Sequence, residues 1–199
     1  MYEHYKQARD KAWQVLLECG INSLPVNLGD IADHYDIPIY IYSQTALAQL
    51  FREDVLNGDG FIVSNRSQKQ IFMNDKIHSR PRRRFTLAHE LAHGLLNHNI
   101  GIIHYRNSEI DSQSELQELQ ANIFARDILM PATVLAALNI RTPEEIMQLC
   151  DVSRQSAEIR AARMAELYQR NRFNRHPLEK AVWEQFRPFI ESMKIHRNI

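Results

Sequence analysis

The sequence has few cysteines, no excess of charge and no long apolar run, and each absence narrows its class. Among 199 residues only Cys19 and Cys150 are cysteines, and neither has a metal-ligand partner at short spacing, so we expect buried thiols in a reducing compartment. Lys and Arg together number 24, as do Asp and Glu, whereas a general nucleic-acid-binding protein is usually basic. No apolar run approaches the roughly 18 residues of a membrane span, and the first residues lack a signal core. We therefore expect a cytoplasmic protein.

Residues 84–96 contain the motif that best indicates what chemistry the protein carries out. They include His89-Glu90-x-x-His93 within an apolar pattern typical of a buried helix. Residues four apart lie about 40° apart around a helix axis and about 6 Å along it, so both imidazoles can reach one metal ion. Glu90 is placed to take a proton from the attacking water. This is the H-E-x-x-H pattern of zinc peptidases; the alternative is a core helix with two hydrogen-bonded histidines.

A third metal ligand is expected on a second strong helix, at residues 114–129. Zinc in a hydrolytic site takes three protein ligands and keeps one position open, and a Glu on a following helix is a standard third ligand. Glu118 is our prediction, and Glu115, three residues earlier on nearly the same face, is the rival. Asn122, one turn after Glu118, is predicted to orient a ligand imidazole through its other ring nitrogen.

The segment after the active helix offers candidates for stabilising the oxyanion of a peptidase reaction. His98, His104 and Tyr105 lie between the two helices, and either residue type can donate the hydrogen bond that is needed. The sequence does not choose between them, and ordinary loop residues are the alternative. The basic run at residues 80–84 can recognise an acidic substrate segment, but we expect it to pair with acidic groups of the protein itself.

Before the active helix, the sequence predicts helices and a small sheet. Apolar spacing and turn residues indicate helices at 3–19, 28–35 and 45–51 and strands at 37–42, 60–64 and 70–74, the last two forming a hairpin. Zinc peptidases commonly hold an extended substrate against a sheet edge, so this sheet is the candidate for that role.

Residues 142–168 show a helix, a tight turn and a second helix, a pattern that resembles a DNA-reading motif. Charge helps to weigh this resemblance. Residues 153–199 hold 10 Lys and Arg against 5 Asp and Glu, while residues 107–151 hold 2 against 8. Since a basic tail can dock on an acidic middle, we expect these helices to pack or to bind a partner rather than DNA. A last helix, at 178–193, is expected to do the same.

Two phrases together point to a family. Residues 84–93 read R-F-T-L-A-H-E-L-A-H, and residues 118–131 read E-L-Q-A-N-I-F-A-R-D-I-L-M-P. They resemble the ImmA/IrrE metallo-endopeptidase family, and the resemblance extends to residues 23–26 and 152–157. It therefore covers most of residues 1–168. Either phrase alone is moderately specific, and the pair is specific.

The resemblance implies a ligand set, a general base and a substrate class. Its pattern maps one Zn²⁺ per chain onto His89, His93 and Glu118, with Glu90 as general base. It implies that the substrate is a helix-turn-helix repressor of a mobile element, phage or stress regulon. One departure is Gln120, where many relatives carry a second acidic residue, and this makes Glu118 the clearer ligand.

We therefore predict an α+β, zincin-like metallopeptidase domain at residues 1–170, with a small β-sheet, an active helix, a glutamate helix and a helical C-terminal region. Residues 171–199 are predicted to form a helical extension. The predicted activity is zinc-dependent hydrolysis of peptide bonds, with no membrane partner. Two alternatives stay open. One is a protein that sequesters a repressor without cutting it, and the other is a DNA-binding regulator that uses residues 142–168, recognisable by salt-dependent binding to duplex DNA.

Overall fold

The computed structural model of the protein describes residues 2–46, 57–64, 68–98, 112–171 and 173–197. Its helices are α1 (Tyr2–Glu18), α2 (Leu28–His34), α3 (Arg80–Leu95), α4 (Ser112–Leu129), α5 (Ala132–Ala137), α6 (Pro143–Cys150), α7 (Arg154–Arg170) and α8 (Pro177–Arg197). Its strands are β1 (Ile39–Ile41), β2 (Gly60–Ser64) and β3 (Lys69–Met73), and a 3-10 helix at Tyr42–Gln44 follows β1. This mixture of helices with one small sheet confirms the predicted α+β class.

Local sequence signals set the helix boundaries. The side chain of Ser79 caps α3 by accepting a hydrogen bond from the backbone N–H of Arg82, and a proline occupies the first turn. Thr142 and Glu145 form a reciprocal capping box at the start of α6. The chain leaves α1 through Gly20, whose φ of +62° suits glycine. These signals act within a few residues, which is why the helices begin within a few residues of the predicted positions, although the last helix continues to Arg197, beyond the predicted end at 193.

Before α3, two elements differ from the expectation or lie outside the described residues. The strand predicted at 37–42 is shorter, Ile39–Ile41, because Pro38 has no N–H for the ladder and Tyr42 begins a 3-10 turn. The helix predicted at 45–51 falls largely on residues outside the described ranges. None of the described helices has the length and apolarity that crossing a membrane requires.

Strand β3 is the centre of the sheet, and the strand order is β1-β3-β2. β1 runs parallel to β3, while β2 pairs antiparallel with it, which confirms the predicted hairpin. Successive side chains alternate between the two faces. On one face the rings of Tyr40, Phe72 and Phe61 form a row, with centroids 5.3 Å and 5.1 Å apart. Because β2 is the last strand in this order, it is an edge strand of the described sheet.

Helix α3 packs against β2 and β3 on the other face of the sheet. Two glycines permit the close approach. A Cβ atom at Gly94 would lie 2.9 Å from Cδ1 of Ile62, and one at Gly60 would lie 3.0 Å from Cγ2 of Thr86. The buried stripe of α3 consists of small and apolar residues, namely Ala88, Leu91, Ala92 and Gly94. The polar residues of the H-E-x-x-H motif therefore lie along the flank of this stripe.

The described chain forms two compact units. The first comprises residues 1–8 and 28–125, with the sheet, α2, α3 and most of α4; the second comprises residues 9–27 and 126–199, with α5 to α8. Each has its own buried apolar residues. In the first unit these include Ile71, Phe72, Leu91, Ala121 and Phe124, and in the second Leu16, Leu129, Leu135, Val182 and Phe186. The predicted division near residue 170 stays a prediction.

Arg160 and Asp127 form a buried ion pair in the second unit. Arg160 is 1 % exposed, and its Nη1 lies 2.9 Å from Oδ1 of Asp127. Its Nη2 donates a hydrogen bond to the carbonyl oxygen of Met130. Asp127 also pairs with Arg126 at 2.6 Å. Burial raises the pKa of Asp127, but the two guanidinium groups outweigh that effect and lower it.

Helices α6 and α7 pack against each other, as the sequence pattern predicts. The turn between them passes through Asp151, which adopts the left-handed conformation with a φ of +52°. On the exposed side of α7, Arg154 lies 2.9 Å from Glu144 and 3.7 Å from Glu158. Ile159 beside them is 58 % exposed. The outer face of α7 thus combines paired charges with an apolar side chain.

Candidate metal centre

Helix α3 sets the positions of His89 and His93. Because its apolar stripe faces the sheet, the two histidines lie on the flank, with side chains 16 % and 14 % exposed. One helical turn separates them, and their Nε2 atoms are 3.0 Å apart. The four-residue spacing therefore brings both ring nitrogens to one point beside the helix.

Glu118 on α4 completes a cluster of three donor atoms. Its Oε2 lies 3.2 Å from Nε2 of His89, and its Oε1 lies 3.3 Å from Nε2 of His93. Within the described residues, these three side chains are the group of His, Cys, Asp and Glu placed to hold a metal ion. Glu115, the rival from the sequence, is exposed and is not part of this cluster.

The spacing of the three side chains is close to the spacing of ligands in a tetrahedral zinc site. Zinc binds nitrogen and oxygen ligands at about 2.0–2.1 Å, which places tetrahedral ligand atoms about 3.3–3.4 Å apart. Here the two Nε2 atoms are 3.0 Å apart, and each lies 3.2–3.3 Å from a different carboxylate oxygen of Glu118. Two imidazoles and one carboxylate are also the ligand types that zinc accepts in hydrolytic sites, where the fourth position stays open. Both the chemistry and the spacing therefore suit Zn²⁺.

Two of the donors, Glu118 and His89, have shifted pKa values. Hydrogen bonds with His89 and then His93 hold the pKa of Glu118 well below its usual range, against the opposing effect of burial. Burial lowers the pKa of His89, but its hydrogen bond with Glu118 and the negative charge of Glu90 outweigh burial and raise it. A carboxylate that stays ionised beside two imidazoles makes this point in the protein attractive to a cation.

Glu90 lies next to the cluster and reaches the edge strand β2. Its carboxylate accepts a hydrogen bond from the backbone N–H of Ile62. Burial raises the pKa of Glu90, and this effect outweighs the positive charge of His89 and His93. A raised pKa makes a carboxylate a stronger base, which suits a residue that has to accept a proton.

Tyr42 is a neighbour of Glu90 that sequence reasoning missed. Its hydroxyl is buried and has no hydrogen-bond partner among the described residues, and its ring lies 5.7 Å from that of Phe61. Burial raises its pKa first, and the charges of Glu90 and Asp59 raise it further, so the phenol stays protonated. A tyrosine at the end of a short strand carries no sequence signal for this location.

Asn122 lies where it was predicted. Its Oδ1 is 3.1 Å from Nδ1 of His89, on the opposite side of the imidazole from the donor cluster. An oxygen there accepts the Nδ1–H and leaves the Nε2 lone pair for a metal. The predicted orienting contact is therefore present in the structure, and the side chain that makes it is exposed.

Of the three candidate oxyanion donors, only His98 lies in the described residues; His104 and Tyr105 lie outside them. His98 is 8 % exposed, and its Nδ1 is 3.1 Å from Nδ1 of His93. It thus contacts the side of His93 that faces away from the donor cluster. Burial, followed by the positive charge of His93, lowers the pKa of His98 to about 4. This placement suits a group that orients His93 and not one that faces a substrate oxyanion.

The basic run at the start of α3 pairs within the protein, as expected. Arg82 makes a two-point ion pair with Asp59, in which Nη2 is 2.7 Å from Oδ1 and Nε donates to the other oxygen. Arg83 donates a hydrogen bond to the carbonyl oxygen of Ile77. These contacts tie the first turn of α3 to the segments before it.

The α+β fold and a His-His-Glu cluster beside an H-E-x-x-H glutamate are the arrangement of a metallopeptidase. Comparison with known families agrees: the model of the IrrE N-terminal-like domain family, Peptidase_M78, matches residues 48–162, more than half of the chain. The chain therefore belongs to the ImmA/IrrE family and is a metallopeptidase-family protein. A search among curated proteins found no match.

Proposed function

We propose that the protein is a zinc-dependent endopeptidase that cleaves a helix-turn-helix transcriptional repressor. The observation that carries the zinc assignment is the cluster of His89, His93 and Glu118, in which the two Nε2 atoms are 3.0 Å apart and each lies 3.2–3.3 Å from one of the two carboxylate oxygens. A bound Zn²⁺ would supply Lewis-acid chemistry, polarising the scissile carbonyl and acidifying water to a pKa near 7. No other described group offers the same set of donors.

Glu90 is the general base in this proposal. It takes the proton of the attacking water and later delivers it to the leaving amine. Two features support the role. Glu90 directly follows the proposed ligand His89 in the sequence, and burial raises the pKa of its carboxyl group. The N–H of Ile62 holds the carboxylate toward β2 and so limits its orientation.

The substrate is expected to bind as an extended strand along β2. This strand is an edge of the described sheet, and the Ile62 N–H on it contacts the proposed base. Main-chain hydrogen bonds to a sheet edge provide affinity that tolerates varied side chains, with pockets for alternate residues giving selectivity. A scissile bond held there would lie beside Glu90.

The repressor substrate rests on family membership, because the site itself favours no particular sequence. The resemblance to the ImmA/IrrE family implies such a substrate, and a cytoplasmic location would give access to it. DNA contact through α7 receives little support, since Arg154 on its outer face is already paired with Glu144 and Glu158. That face also carries Ile159, which suits a protein partner better than a phosphate backbone.

The test is cleavage of the helix-turn-helix repressor encoded beside the gene. Purified wild type, Glu90→Gln and Glu115→Gln are each loaded with zinc and incubated with that repressor, and new chain ends are identified by mass spectrometry. Glu115 is the matched control because it is an exposed glutamate outside the cluster. We expect cleavage by wild type and Glu115→Gln, and a loss of at least about 100-fold in Glu90→Gln, with zinc retained.

Two results would contradict the proposal. Normal cleavage by Glu90→Gln would remove Glu90 as the base. Repressor that is bound but left intact by the zinc-loaded wild type would favour sequestration, the alternative in which the same fold binds a repressor without cutting it.

A further inference from the structure

The two histidines of the donor cluster have very different partners behind them. Nδ1 of His89 faces Asn122, an exposed side chain, at 3.1 Å. Nδ1 of His93 faces Nδ1 of His98, also at 3.1 Å, but His98 is 8 % exposed. Water can replace an exposed hydrogen-bond partner, whereas the loss of a buried partner leaves a polar group unsatisfied and costs free energy. The buried side of the centre therefore has more influence on ligand geometry.

The backbone at the end of α3 fixes the position of His98. Asn97 adopts the left-handed conformation, with a φ of +53°, and the backbone N–H of His98 donates to the carbonyl oxygen of His93 at 3.1 Å. This is the 6→1 hydrogen bond of a Schellman C-cap. Lys69 of β3 reinforces the turn, since its Nζ lies 2.5 Å from the carbonyl oxygen of Gly94 and 2.8 Å from Oδ1 of Asn97.

Gln120 is a buried polar group near His98. It is 6 % exposed, and its Nε2 lies 3.1 Å from Oε1 of Gln7 and 3.5 Å from the carbonyl oxygen of His4, both on α1. Because its amide NH₂ faces these acceptors, its Oε1 remains to accept. Among the described residues, Nε2 of His98 is buried without a hydrogen-bond partner of ordinary geometry, and the Gln120 side chain is the neighbouring group within hydrogen-bonding reach of His98.

We infer that His98 and Gln120 form a positioning relay for His93, in which His93 Nδ1–H donates to His98 Nδ1 and His98 Nε2–H donates to Gln120 Oε1. The relay rests on the proposed metal centre. It selects the His93 tautomer whose Nε2 lone pair points toward His89 and Glu118, and α1 holds the far end through Gln7. His98 and Gln120 are positioning residues, since neither belongs to the cluster.

The test measures zinc affinity by competition with a chromophoric chelator for the full chain. His98→Leu removes the acceptor for His93, and we expect a loss of about 10–100-fold in affinity. His98→Asn is the conservative variant, because its Oδ1 can take the place of Nδ1, and it should recover most of that loss. Gln120→Met keeps the volume but removes the last acceptor, and it should lose part of the affinity although it does not contact His93.

Asn122→Ala is the matched control, since it removes the partner of His89 at an exposed position. We expect a smaller loss than for His98→Leu because water can take the place of Oδ1. Thermal unfolding of the metal-free variants tells a general folding defect from a loss of zinc affinity. The visible spectrum of bound Co²⁺ provides a second reading of ligand geometry.

The outcomes separate the relay from the centre itself. Wild-type affinity in His98→Leu, or equal losses in His98→Leu and His98→Asn, would refute the relay while the metal centre stands. A wild-type chain that binds no zinc would overturn both. Loss in His98→Leu with recovery in His98→Asn supports the relay.

Discussion

Removing the guanidinium of Arg160 should cost more stability than any change to a surface charge. In Arg160→Met the apolar stem is kept, but Asp127 loses its contact at 2.9 Å and the carbonyl oxygen of Met130 loses its donor. Both Arg160 and Asp127 are almost completely buried, at 1 % and 4 % exposure. Breaking a buried ion pair by removing one partner typically costs about 3–5 kcal/mol. Because Arg126 still pairs with Asp127, we expect a loss at the lower end of this range, about 3 kcal/mol.

Urea unfolding followed by circular dichroism measures this loss in the free energy of unfolding. Arg154→Met is the matched control, because Arg154 is also an arginine of α7 that pairs with glutamates, but its side chain is 59 % exposed. We expect its unfolding midpoint to equal that of wild type. If the unfolding midpoint of Arg160→Met also equalled that of wild type, the view that this buried pair holds α7 in the second unit would be refuted.

Two further predictions concern acid stability and a buried hydroxyl. Asp127 has a lowered pKa when folded, so its stabilising contribution is present above about pH 4 and is lost as the pH falls through the folded pKa. The difference in unfolding free energy between wild type and Arg160→Met should therefore be largest near neutral pH and shrink below about pH 4; a difference that grows in acid would contradict this. Tyr42→Phe removes a buried hydroxyl without a partner among the described residues, so urea should unfold it no earlier than wild type. A midpoint that falls clearly below wild type would show that the hydroxyl has a stabilising partner.

Local patterns predicted the first half of the site. Ser79 and Pro81 define where α3 begins, and helical spacing alone brings His89 and His93 together. Glu118 and Asn122 followed from the same reasoning, because residues one turn apart on α4 face the same side and each meets His89 in the structure. Site residues that are brought together by the spacing of a single helix can be predicted from the sequence without knowing the tertiary structure.

The remaining parts of the site depend on contacts between distant segments. His98 was one of three candidate oxyanion donors, and the left-handed turn at Asn97 directs it behind His93. Gln120 looked like a lost acidic residue, whereas its contact with Gln7 joins α4 to α1, 113 positions apart in sequence. Tyr42 approaches Glu90 because β1 pairs with β3, a pairing that periodicity does not reveal. Such roles follow from burial and strand register, which a residue pattern does not encode.

The zinc content of purified protein tests the central claim most directly. Wild type, Glu118→Gln and Glu115→Gln are dialysed against a small excess of zinc, freed of loosely bound ions and analysed by atomic emission. We predict one zinc per chain in wild type and Glu115→Gln and a loss of most bound zinc in Glu118→Gln, because a neutral amide is a weak third ligand. Wild type without zinc, or full zinc in Glu118→Gln with loss in Glu115→Gln, would contradict the metal centre built from His89, His93 and Glu118.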